Sequence, residues 1–267
     1  MRTVPLPIST IPDISEDFLI RVAKGDVPGH SLVHKFGRAP TSTINVEQSV
    51  SELGTMQFPS TAVAMRVKAG GDATDTAAGV AAREVTIYGL DETGALAEEA
   101  EATAGISAST ATTTTFIRVF RARVTSSGAY AVTSIATTGT NADDITIEDS
   151  GGAADYIVIP QYEGTSEYAG YTIPLGKTGY LLSALIQVDA TKSADVILYQ
   201  RPNILDTSVP VSSRRVMFYF DGVAGDTPFK PKSPIAIPAL TDVWWNFIPS
   251  ANGTECSIDF EILLVDD

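Results

Sequence analysis

The chain has 267 residues, 44% of them hydrophobic, which is enough for a sizeable core and argues against wholesale disorder. Its 32 acids against 18 lysines and arginines give a formal net charge of -14, which repels phosphate backbones and anionic lipid, so neither nucleic acid nor membrane is an expected partner. One cysteine, Cys256, excludes an internal disulfide, and no apolar run approaches the ~20 residues of a membrane-spanning helix.

Residues 1–60 read as an extended N-terminal arm with at most one short helix. Pro5, Pro7 and Pro12 interrupt regular structure early. Ile14 to Lys24 has helical character, with Ser15 as N-cap and Glu16 and Asp17 in the first turn, and Gly25, Pro28 and Gly29 end it. His30 to Arg38 follows with scattered apolar residues and no sustained period. It is expected to gain order by lying against its own body or against a neighbouring subunit. Leu32, Val33, Lys35, Phe36 and Arg38 are its candidate partner-binding residues: burial of the apolar ones would supply affinity, and the two cations orientation.

From residue 61 onward the pattern becomes serial β. Val63, Met65 and Val67 alternate with Arg66 and Lys68, and Val85 and Ile87 with Glu84, Thr86 and Tyr88. Phe116 to Val124 is a longer strand carrying Arg118, Arg121 and Arg123, and Ile145 and Ile147 mark a short one. Stretches of Gly, Ala, Ser and Thr at 69–82, 102–115, 137–141 and 150–154 read as loops. A second block follows Gln161, with strands near 179–188, 196–200, 215–220, 235–240 and 243–248. In the last strand Cys256, Ile258, Phe260 and Ile262 alternate with Ser257, Asp259 and Glu261. The expected architecture is all-β: two antiparallel β-sandwich, jelly-roll-like units at about 61–158 and 161–267, preceded by the arm.

Catalytic signatures are missing, and the chain is expected to be no enzyme and to need no cofactor. Its two histidines, His30 and His34, are spaced i, i+4, but Ser31 stands where a zincin has Glu; surface or interface contacts outweigh a metal pair. There is no G-x-S-x-G elbow, Walker A loop or G-x-G-x-x-G turn. Cys256 falls on the dry phase of its strand, too deep for a nucleophile. Asn141, Asp143, Asp144, Glu148 and Asp149 could collect Ca²⁺, but a solvated loop fits better, and the Glu98, Glu99 and Glu101 run reads as a wet edge. Trp244 and Trp245 point to opposite faces of a strand, one into the core and the other towards an interface or a sugar. Tyr199, Phe218, Tyr219 and Phe220 read mainly as core, and Asn252-Gly253-Thr254 as a hairpin turn. Residues 71–156 hold thirteen acids against four arginines, so an acidic body adjoins a locally basic arm.

Four segments together resemble virion structural proteins of tailed bacteriophages, especially marine short-tailed ones. They are Gly25 to His30 running into Lys35 to Arg38, Arg83 to Asp91, Thr114 to Ala122, and Tyr171 to Leu181. The resemblance runs in order over most of the chain. It implies a particle component made in the host cytoplasm: a head decoration or auxiliary capsid protein, or else a tail or fibre-anchor protein. It also implies a homo-oligomer, commonly a trimer, with the major capsid protein or other virion proteins as partners. It brings no catalytic residues with it.

Overall fold

The computed structural model describes residues 17–128, 141–206 and 212–267. Pro5, Pro7, Pro12, Ile14, Ser15, Glu16 and most of the 137–141 loop lie outside the described residues. The one helix among the described residues, α1 (Phe18–Ala23), is capped two residues later than the sequence suggests. Asp17 is its cap, with the carboxylate accepting from the Leu19 amide at 2.8 Å. Among the described residues every paired strand is antiparallel.

Two sheets form a sandwich. In the first, β1 (His30–Ala39), β16 (Cys256–Asp266), β10 (Lys177–Val188) and β13 (Gly225–Phe229) lie side by side, and β14 (Ile235–Ile237) also pairs with β10. In the second, β12 (Arg215–Val223), β11 (Ala194–Arg201), β15 (Asp242–Pro249) and β2 (Gln48–Ser49) follow in order, with β9 (Gly170–Thr172) also on β15. Inward aromatic side chains close the gap between them. The rings of Trp245 and Phe260 lie 6.3 Å apart, and those of Phe220 and Phe229 5.0 Å apart. The terminal strand β16, the most regular in the sequence, is central in its sheet because both its edges are paired.

The third sheet has six strands in the order β5 (Leu96–Ala102), β4 (Ala82–Asp91), β6 (Thr115–Ser127), β3 (Val63–Ala69), β7 (Ile145–Asp149) and β8 (Asp155–Ile159). It bends at β3. Only Val63 and Ala64 pair with β6, whereas from Met65 onward β3 pairs with β7. The edge of β3 that leaves β6 is taken up by the 109–112 loop, where the Thr112 hydroxyl accepts from the Met65 amide and the Ser109 hydroxyl from the Val67 amide. Met65, Ile87, Phe116, Ile145, Ile147, Ile157 and Ile159 fill the bend, and their apolar cluster is continuous with the core of the sandwich.

The N-terminal segment is integrated into these layers. Residues 30–39 are the edge strand of the first sheet, paired with β16 along their whole length from His30–Val265 to Ala39–Cys256. Of the two expected supports, its own body supplies this one. The pattern was hidden because the inward positions toward the strand's end are Lys35, Gly37 and Ala39, of which only the last reads as apolar. Strand β2 likewise joins the second sheet, so both strands of residues 1–60 belong to the C-terminal sandwich.

Candidate functional site

Where β1 meets β6 the molecule brings together a buried cation, Lys35, and a half-buried one, Arg121. Strand alternation sends His34 and Phe36 outward and Lys35 inward. Lys35 is 2% exposed. Its ammonium donates to the Phe120 carbonyl oxygen and lies over two rings, 6.0 Å from the Phe120 centroid and 5.6 Å from that of Tyr168. Burial, and secondarily the Arg121 charge, holds its pKa well below the ordinary lysine value. Arg121 donates from Nη2 to the His34 carbonyl oxygen at 2.6 Å. Neither group meets a carboxylate among the described residues. Leu32, Val33, Tyr88 and Tyr171 complete the lining of a pocket of about 370 Å³ around them.

Further along β1, Arg38 joins two carboxylates. Its Nε lies 2.9 Å from Glu167 and Nη2 3.6 Å from Glu52. Burial and then the neighbouring Glu167 charge push the Glu52 carboxyl up to about 7, against the pull of Arg38. Of the five candidate partner-binding residues, Phe36 is 37% exposed, Leu32 and Val33 are half-buried, Lys35 is enclosed and Arg38 is held in this ion pair.

A second ionic group ties the six-stranded sheet to the sandwich. Arg118 meets Asp242 twice, Nε to Oδ1 at 2.8 Å and Nη2 to Oδ2 at 3.0 Å. Arg201 meets the same Oδ2 at 2.7 Å, and the Thr172 hydroxyl donates to Oδ1 at 2.8 Å. The Phe58 ring sits 4.9 Å from the Arg118 guanidinium carbon and 4.7 Å from that of Arg201. The remaining Arg118 nitrogen donates to the carbonyl oxygens of Ile117 and Pro59, at 2.6 and 3.3 Å. All three Arg118 nitrogens and both Asp242 oxygens are engaged, so the group is an architectural clamp. Sequence reasoning missed it because positions 118, 201 and 242 share no local pattern.

The other candidates scatter. His30 and His34 are on a strand, not a helix, about 13 Å apart at four residues' rise. His34 pairs with Asp259 at 2.6 Å, while His30 contacts the Pro28 carbonyl oxygen. Cys256 is 1% exposed and burial pushes its thiol up to about 12, which leaves essentially no thiolate at neutral pH. The acids of 141–149 are spent locally. Asp149 accepts from the amides of Gly151, Ala153 and Ala154, Glu148 pairs with Arg66 at 2.7 Å, and Asn141 donates to the Asp143 and Pro160 carbonyl oxygens. No group of three metal-ligating side chains forms among the described residues.

Two expectations about aromatic residues need correcting. Neither tryptophan is available on the surface: Trp245 is 0% and Trp244 6% exposed. The outer face of β15 is covered because Phe58 packs edge-on against Trp244 and Tyr199 stacks upon it. Tyr219, expected mainly in the core, is 53% exposed and donates its hydroxyl to Asp195 at 2.5 Å.

No protein-family model matches the chain, and no curated protein matches it. Among solved structures it is similar to T=1 particles derived from infectious bursal virus, at 11% identity and a TM-score of 0.26, covering 89% of this chain and 70% of the other. It is also similar to the D431N mutant VP2 protein of infectious bursal disease virus, at 9% identity and a TM-score of 0.25, covering 93% and 75%. At those scores the likeness transfers neither a fold nor a role.

Proposed function

We propose that this chain is a structural component of a bacteriophage particle: a head decoration or auxiliary capsid protein that self-associates, as a trimer in the first instance, and stiffens the shell through contacts with the major capsid protein. The observation that carries this reading is the ordered set of segments resembling phage virion proteins. Three of those segments include framework strands, β1, β4 and β6, and the fourth spans β9 and the start of β10, so the resemblance follows the scaffold and not a few turns. The ionic chemistry supports it. The buried charged groups at 118, 201 and 242 hold sheets together, and Cys256 is no nucleophile. Leu32, Val33 and Phe36 on the edge strand remain the proposed contact surface, with Arg38 at its margin and Lys35 buried behind it. A tail or fibre-anchor role that binds carbohydrate has lost its tryptophan platform, since both rings are buried.

The test is immunogold labelling of purified particles with antibody to this chain, together with light-scattering mass measurement on the isolated protein. Gold regularly spaced over heads and a discrete oligomer are expected. Label confined to tails, or absent from particles altogether, would overturn the assignment.

A further inference from the structure

The outer face of β4, β5 and β6 carries opposite charges at its two edges. Register places Glu98 of β5 opposite Tyr88 of β4, and Tyr88 opposite Arg121 of β6. Directly opposed residues share a face, so these three side chains form one row, and Ala100, Thr86 and Arg123 form the next. With strands ~4.8 Å apart, the Glu98 and Arg121 backbones stand about 10 Å from each other along the row with Tyr88 between them, and the two side chains do not pair within the molecule.

Both ends of the row are unsatisfied. Glu98 is exposed on the edge strand, and its carboxylate makes no hydrogen bond or ion pair among the described residues. Leu96, two residues before it and on the same face, is 53% exposed. At the other end, Arg121 has only the His34 carbonyl, Arg123 has no ion pair among the described residues, and Lys35 is buried beside them without a carboxylate. Elsewhere Arg38, Arg66, Arg118, Arg201 and Arg214 are matched to acids, whereas here one buried and one half-buried cation lie together without one. A buried or half-buried cation without an anion is costly, and a carboxylate delivered from outside would relieve it.

We propose that a second copy of this chain seats its β5 edge against the pocket between β1 and β6, setting the Glu98 carboxylate on Arg121 next to Lys35 and Tyr88. Each copy then offers one acidic edge and one basic pocket, so the contact runs head to tail and can close into a ring. Exposed Leu96 and Ala100 flank the acid and would pack where Phe36 and Leu32 stand at the surface. This inference rests on the self-assembly reading and names the surfaces it uses.

Sedimentation velocity on the full chain across a dilution series tests it. The unaltered chain is expected to sediment as a closed oligomer that added salt weakens. Glu98→Arg, a substitution at an exposed and unbonded position, is expected to weaken association at least tenfold while leaving the circular-dichroism melting curve in place. Arg121→Glu is expected to do the same to association, and the charge-swapped double variant Glu98→Arg/Arg121→Glu to regain it. If Arg121→Glu fails to fold, Arg121→Gln, which keeps a donor for the His34 carbonyl, removes the charge instead and is expected to weaken association without moving the melting curve. An oligomer that persists unchanged in Glu98→Arg would overturn this interface while leaving self-assembly standing. A monomer at every concentration of the unaltered chain would overturn both.

Discussion

Replacing Asp242 with asparagine tests whether the buried ionic group clamps the two halves of the molecule. Asparagine keeps the shape and an acceptor for the Thr172 hydroxyl but removes the charge that both Arg118 and Arg201 face. The Arg118 side chain is only 4% exposed, so water cannot replace the lost partner; that of Arg201 is 25% exposed and can recover part of its hydration. Breaking one side of a buried ion pair costs about 3–5 kcal/mol, and partial hydration of Arg201 puts this case near the lower end. For a chain of this size ~3 kcal/mol corresponds to a melting temperature roughly 6–12 °C lower. Urea unfolding followed by circular dichroism, alongside thermal melts, reads the loss directly. Since Arg118 lies in the six-stranded sheet and Asp242 in the sandwich, the single transition should also broaden or split. A melting temperature within 2 °C of the unaltered protein, with an unchanged slope, would refute the clamp.

Two further outcomes follow from the neighbourhood of β1. Alanine at Gly37 would place its Cβ 2.1 Å from the Ala169 nitrogen and 2.6 Å from the Ala169 Cβ, so the strand must lift away and strain the Tyr168 amide's bond to the Phe36 carbonyl. A loss on the order of 1–3 kcal/mol or more in urea is expected, and an unchanged midpoint would show that β1 docks loosely. Glu52 titrates at about 7 when folded, above its unfolded value. The native state therefore binds the extra proton, so this contribution to stability is complete below about pH 4.5 and is lost as pH rises through about 7. Glu52→Gln should flatten the stability–pH profile between pH 5 and 8 by on the order of 1–3 kcal/mol, and should be relatively more stable at pH 8; a profile parallel to that of the unaltered chain would remove Glu52 as its source.

Local patterning made much of the framework legible. Period-2 alternation marked β3 and β16 because each has one drier and one wetter face, and it marked β4 although Thr86, on its polar phase, is itself buried; the same rule put Cys256 in the core. It failed on β1, where a lysine and a glycine occupy inward positions. It also failed on Trp244, whose face is covered by Phe58 from a segment almost two hundred residues earlier in the chain.

The amino-acid order alone determined the β class, the exclusion of an internal disulfide and the acidic balance, since each depends on residue type and nearest-neighbour spacing. Only the folded arrangement decided that residues 30–39 pair with the C-terminal strand, that Asp242 serves two arginines from separate strands, and that Glu98 and Arg121 share one row. Those are contacts across large sequence separations, set by sheet order and register, and no short-range pattern encodes them.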